Sequence, residues 1–159
     1  MGLRNLAAEE AIARKETSNS TPRVGQISEK ISLSWTDSQN KEVSTVLVGL
    51  IDSGAEVSCV NAKIVQDIKK RDEYRRIATA GGSILADIIP AMRVALRNFR
   101  LKVDIVVLPL GEVDMIVGMD ILSAVGAVIS CNPPGLKLKQ SVGGSSVPLG
   151  KSGVPFIRL

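Results

Sequence analysis

A mainly-β, partly closed domain with one or two short helices is the fold class that this sequence predicts. Three observations carry it. Short stretches alternate apolar and polar residues, as where Ile31, Leu33 and Trp35 interleave with Ser32, Ser34 and Thr36; that period of two marks a half-buried strand. Turn-forming clusters such as "DSQNK", "AGGS" and "NPPG" separate those stretches. Helical periodicity is confined to brief segments, and many short strands with few helices fold as a sheet that curls on itself. The chain has 159 residues, 45% of them hydrophobic, which suits one core with extensions. The expected organisation is a polar N-terminal extension or linker over 1–26, a domain over 27–140, and a flexible C-terminal tail over 141–159.

In chain order, "LAAEEAIARKE" followed by "TSNSTPR" reads as a short helix at best, then a linker. The first strand holds Ile31, Leu33 and Trp35, turns at "DSQNK", and returns from about Glu42 to Ile51. The second half of that return, "VLVGLI", is apolar at every position but glycine, as in a strand buried on both faces. After Val60, Asn61 is placed to cap a short surface helix with Ile64, Val65 and Ile68 on its inner stripe. "IATAGGSILADI" puts Gly81 and Gly82 at the tip of a hairpin. "MRVALRNFRLKVDIVV" is a further hairpin turning near Asn98. "DMIVGMDILSAVGA" is a buried strand ending at Gly118, then a short helix for which Asp120 is the expected N-cap. "AVISC" and "LKLKQ" form a last strand pair around "NPPG". The Gly-, Ser- and Pro-rich remainder reads as tail.

Composition removes several function classes. Histidine is absent, and the two cysteines, Cys59 and Cys131, have no C-x-x-C spacing, so most zinc geometries and every Ser-His or Cys-His nucleophile are excluded. Both cysteines flank apolar residues and are expected as buried thiols. No metal and no cofactor is expected, and catalysis must rest on carboxylates. A net charge of +4 with 3% aromatic residues supplies a base-stacking surface poorly and argues against nucleic acid as a partner; "KKRDEYRR" reads as a solvated face. Charge interrupts the apolar runs before the roughly 18 residues of a membrane span, and no basic-then-apolar leader opens the sequence. A cytoplasmic, intracellular protein without membrane contact is the expectation.

The stretch "LIDSGAEVSCV", Leu50 to Val60, ends an apolar strand on a carboxylate. Leaving the water costs that charge several kcal/mol unless it is shared or hydrogen-bonded. Asp, Ser and Gly are also turn formers, so Asp52 could mark a turn only. Yet two carboxylates about 3 Å apart sharing one proton can split a peptide bond with water. Asp52 would supply one of them, Gly54 would let backbone N–H groups approach it, and the Ser53 hydroxyl would brace the loop.

"LIDSGAEVSCV", then "TAGGS", then "MIVGMDIL" resemble, in order and spacing, the retroviral-type aspartic proteases (retropepsins), most of all those of long-terminal-repeat retrotransposons. The resemblance runs from about Ile31 to Leu138 and implies a retropepsin-like half-barrel that works as a homodimer. It makes Asp52 the catalytic residue and Ser53, Gly54 and Ala55 its supporting loop. Glu56 falls on an acidic position that meets the substrate backbone, although an exposed surface glutamate fits as well. Ala80, Gly81, Gly82 and Ser83 become a flap over substrate, where an ordinary hairpin tip is the plainer reading. Gly118 and Asp120 become structural support. Asp120 lacks the Ser/Thr-Gly of a second catalytic acid, and a helix cap or ion pair accounts for it. Ser58 could brace the strand or face solvent. The implied partners are a second copy of the chain and an extended polypeptide, such as its own polyprotein, inside a retroelement particle or the cytoplasm. The alternative is a non-enzymatic or narrowly specific dimerisation module, like the retropepsin-like domain of ubiquitin-pathway shuttle proteins. A nucleic-acid-binding segment of a retroelement polyprotein is a weaker third.

Overall fold

A computed structural model describes residues 27–68, 74–139, 145–147 and 155–157, and the expected N-terminal helix and linker lie outside them. Alternation of apolar residues becomes strand pairing almost wherever it occurs. β1 (Ser28–Thr36) and β2 (Glu42–Ile51) run antiparallel, from Ser28 opposite Leu50 to Thr36 opposite Glu42. The "DSQNK" turn closes them because Asp37 Oδ1 accepts hydrogen bonds from the N–H groups of Gln39 and Lys41, both at 2.8 Å, the local bonding that makes Asp a turn residue. β3 (Cys59–Asn61), β4 (Tyr74–Thr79), β5 (Gly82–Leu96), β6 (Phe99–Leu108) and β7 (Met115–Val117) follow. Then come α1 (Met119–Ala124), the ribbon β8 (Val128–Cys131) with β9 (Pro134–Lys137), and β10 (Ser145–Val147).

The main sheet is ordered β10-β6-β3-β7-β2-β1-β5-β4, and β5 also bonds to β6. Six strands therefore close on themselves, which removes their free edges. β5 is 15 residues long and changes partner along its length. Gly82 to Asp87 pair with β4, whereas Arg93 to Ala95 pair with β1. Its register against β6 shifts between Ile89 and Met92, where Pro90 has no N–H to donate and Ala91 adopts φ 50. Asp104 Oδ1 takes the Ala91 N–H at 2.9 Å, so the bulge leaves no donor unpaired. It redirects the strand, and the glycine-tipped hairpin extends beyond the six-strand ring.

Two apolar clusters fill the domain. The larger contains Ile31, Leu33, Met92, Leu96, Ile105, Met115 and Ile121; the smaller contains Ala55, Val57, Cys59, Ile77, Ile88, Ile116 and Ile157. The inward residues of β1 are the ones its alternation marks, Ile31, Leu33 and Trp35.

Five expectations need correction. β2 is not buried on both faces, since Val46 is 67% and Val48 50% exposed; its apolar run covers the core on one side only. No helix forms between Asn61 and Ile68, where the chain runs in turns: Asn61 ends β3, and its Oδ1 accepts from Lys63 N–H at 3.2 Å to close a turn that no helix continues; residues 69–73 lie outside the description. Asp120 is not the N-cap of α1. Gly118 is, with no side-chain cap bond, and Asp120 sits in the first turn. Cys131 is exposed, unlike Cys59, because it ends the β8 strand of a ribbon outside the main sheet. Finally, parts of the tail are ordered into the fold: Ser145 to Val147 pair in parallel with Leu101 to Val103, and Ile157 is fully buried. Residues 140–144, 148–154 and 158–159 lie outside the description.

Candidate active site

The site is assembled where β7 lies between β2 and β3. Gly49, Leu50 and Ile51 pair in parallel with Met115, Ile116 and Val117, while Cys59 and Val60 pair antiparallel with Ile116 and Met115. The chain thus leaves β2 at Asp52, crosses a loop, and returns as β3 on the other side of β7. Gly49 sits in this layer because a Cβ there would stand 2.6 Å from Ile31 Cδ1 and 2.8 Å from Val117 Cγ2.

Asp52 is half-buried. Its N–H donates to Val117 C=O at 3.0 Å, its own C=O accepts from Ala55 N–H at 3.1 Å, and its Oδ1 accepts from Gly54 N–H at 2.9 Å. That last bond is the one its carboxylate makes among the described residues, so lone pairs remain open. Ser53 is exposed, Ala55 is fully buried and Glu56 is exposed.

A second acid supports the loop from behind. Ser58 is fully buried; its hydroxyl donates to Asp120 Oδ1 at 2.6 Å and accepts from Gly118 N–H at 2.9 Å. Ser58 N–H donates to Asp120 Oδ2 at 2.9 Å, and Ile121 N–H donates to Oδ1 at 2.7 Å. Burial pushes the Asp120 carboxyl above the usual range, against the downward pull of those donors. Backbone bonds add to the brace, with Met119 N–H to Ala55 C=O at 2.7 Å and Asp120 N–H to Glu56 C=O at 3.1 Å. This close approach explains Gly118. A Cβ there would meet Val57 O at 2.7 Å and Ala55 O at 2.8 Å, backbone atoms that cannot step aside.

The structure therefore brings together Asp52, Gly54, Ala55, Glu56, Gly118 and Asp120. It leaves Ala80, Gly81, Gly82 and Ser83 exposed at the hairpin tip, where Thr79 Oγ1 donates to Gly82 C=O at 3.0 Å and Arg76 to Ser83 Oγ at 3.2 Å. No hydrogen bond between described residues joins that tip to the Asp52 loop. Cys59 lies inside the brace, and burial, with the charges of Asp120 and Asp52, pushes its thiol far up, so it stays protonated.

Sequence reasoning leaves Ser58 open between solvent and support, and its place between the apolar Val57 and the "CV" that follows is the signal that favours support. Asn61, read from sequence as a helix cap, instead supports the neighbouring loop, its Nδ2 donating to the C=O groups of Gly111 and Val113, both at 2.9 Å. Nothing in a lone Asn announces that. Among the described residues, no group of three His, Cys, Asp or Glu is placed to hold a metal ion.

Comparison with solved structures matches 162 chains. One is a retroviral protease-like domain of Ddi1 from Leishmania major, 17% identical, with a TM-score of 0.49, covering 75% of this chain and 92% of that one. No curated protein sequence matches. The sequence profile described as retroviral aspartyl protease matches residues 23–143, a span that holds the Asp52 loop, the glycine-tipped hairpin and the Gly118 brace alike, and the chain belongs to the retroviral aspartyl protease family.

Proposed function

We propose that the chain is an aspartic endopeptidase whose working site joins the Asp52 carboxylates of two copies. It would act on extended polypeptide, most directly a retroelement polyprotein, in the cytoplasm or a retroelement particle. One observation carries the reading: the Asp52 carboxylate keeps open lone pairs at the end of a strand, on a loop held rigid by the Ser58–Gly118–Asp120 brace. Two such groups facing each other hold one proton between them. The ionised member takes a proton from water as the water oxygen bonds to the scissile carbonyl carbon. The protonated member gives its proton to the carbonyl oxygen, forming a gem-diol. The dyad proton then passes to the amide nitrogen while the ionised member takes a proton from a gem-diol hydroxyl, so that the C–N bond breaks, carboxylic acid and amine leave, and one proton again lies between the two carboxylates.

Ser53 would steady the partner loop, Glu56 would receive substrate backbone, and residues 80–83 would cover it. The test is incubation with an unfolded protein over a range of pH, with and without a hydroxyl-isostere inhibitor. Cleavage should peak on the acid side of neutral, be blocked by the isostere, and vanish in Asp52→Asn while the circular dichroism spectrum is unchanged. Cleavage by a folded Asp52→Asn chain would refute the assignment. Isostere binding without any cleavage would move the chain to the dimerisation-module reading.

A further inference from the structure

Between the Asp52 loop and the glycine-tipped hairpin lies a piece of the chain's own C-terminal region. Glu56 N–H donates to Phe156 C=O at 2.6 Å, Ala78 N–H donates to Pro155 C=O at 3.0 Å, and Ile157 N–H donates to Ala78 C=O at 3.0 Å. Phe156 and Ala78 form a parallel bridge. Ile157 is fully buried in the cluster that includes Ala55, Val57, Ile77 and Ile116, residues of the loop, the hairpin and the strand behind them. Phe156 is half-buried.

Three features set this segment apart from a strand of the barrel. It touches the two walls of the site and ties one to the other. Among the described residues its hydrogen bonds are all made by backbone, so any extended peptide could make them, as in strand addition to a sheet edge. One side chain, Ile157, takes an apolar pocket, the arrangement by which such sites add selectivity to backbone bonding. We propose that Pro155–Ile157 is a tethered occupant of the chain's own peptide cleft, which holds the site closed until the segment is displaced by substrate or removed. The proposal rests on reading the Asp52 loop and the hairpin as the walls of that cleft. It also names the ligand class, an extended peptide with a branched aliphatic residue where Ile157 sits.

An occupant carried on the same chain as its site competes at an effective concentration on the order of 1 mM. If the segment's intrinsic dissociation constant is tenfold below that, an incoming peptide meets a site about 90% occupied, and its apparent affinity falls about tenfold. The test uses the full chain in the Asp52→Asn background, so that the probe is not consumed. The probe is a fluorescent peptide of the sequence KSGVPFIRL, read by anisotropy. Adding Ile157→Asp places a charge on the buried position and should unseat the segment without altering the walls, so that the probe binds about tenfold more tightly than to the chain with Ile157. Equal affinities, or no binding to a folded Ile157→Asp chain, would overturn the proposal.

A second measurement needs no substitution at 157. Saturating unlabelled peptide should speed amide hydrogen exchange at Ile157 severalfold while Glu56 and Ala78 stay protected; an unchanged Ile157 amide would show a fixed strand and overturn the proposal. Because both readouts are of binding, a chain that never cleaves would remove the protease reading alone.

Discussion

Replacing Ser58 by Ala deletes one oxygen and breaks two bonds at once. Gly118 N–H loses its acceptor at 2.9 Å, and Asp120 Oδ1 loses its hydroxyl donor at 2.6 Å, keeping only Ile121 N–H. A buried unpaired donor costs about 1–3 kcal/mol, and a hydrogen bond to a charged group contributes about 1.5–3 kcal/mol. The two share an atom and are not additive, so the expected loss is roughly 3–4 kcal/mol. At about 3–4 °C per kcal/mol for a domain of this size, the melting temperature falls by roughly 10 °C. The loss depends on pH in a determined direction. The folded Asp120 carboxyl lies above its unfolded value, so its contribution favours folding below about pH 3.9 and is lost as pH rises through the folded pKa. The Ser58 hydroxyl opposes that rise, and removing it lifts the folded pKa further. The deficit of Ser58→Ala should therefore widen from pH 4 to pH 7. Urea titrations at fixed protein concentration measure it, with the exposed Ser38→Ala as a control expected within about 0.5 kcal/mol. A deficit at pH 7 no larger than the control's, or one independent of pH, would refute the brace.

Gly118→Ala should cost about 1–3 kcal/mol by overpacking against the Val57 and Ala55 carbonyls; a melting temperature matching the unsubstituted chain would show that those carbonyls can move. One thiol per chain, Cys131, should react with Ellman's reagent in the native protein and two in denaturant, because Cys59 is buried and protonated; two fast thiols in the native state would contradict that burial. Specific activity should fall on dilution below the dimer dissociation constant, and excess Asp52→Asn chain should poison it under exchange; constant activity where sedimentation finds only monomer would sink the two-chain mechanism.

The elements legible from sequence were those in which local chemistry and burial agree. β1 ends and β2 begins where alternation meets "DSQNK", and the glycine-tipped and Asn98 turns join strands as expected. The errors arose where a residue's partner is distant in sequence. Asn61 looks like a cap beside "AKIV", and its Oδ1 does take Lys63 N–H, but its Nδ2 ties it to Gly111 and Val113 and the chain beyond it runs in turns. Asp120 has cap chemistry, yet its carboxylate turns back to Ser58, 62 residues earlier. Val46 and Val48 read as core because hydropathy alone does not say which face of a strand has a layer above it. Ile157 was hidden by the company it keeps, among scattered Val and Leu in a Gly-, Ser- and Pro-rich stretch, and only the cluster around Ile77 reveals its use.

The two acids of the site differ in donors rather than in position along their strands. β2 and β7 run parallel with Ile51 opposite Val117, so Asp52 and Asp120 leave the sheet at the same end, and sequence reasoning has to ask whether they form a pair. Asp120 receives three donors, from Ser58 N–H, Ser58 Oγ and Ile121 N–H, which take up most of its acceptor sites. A carboxylate so occupied can neither orient a water nor exchange a proton with a neighbour without breaking the brace. Asp52 receives one donor and keeps the capacity that Asp120 has lost. The same bonds that brace the Asp52 loop thus withdraw Asp120 as its acid partner. The proposed chemistry needs two carboxylates with open lone pairs and one proton between them, so its smallest working unit is two chains, each bringing a brace behind a single usable acid.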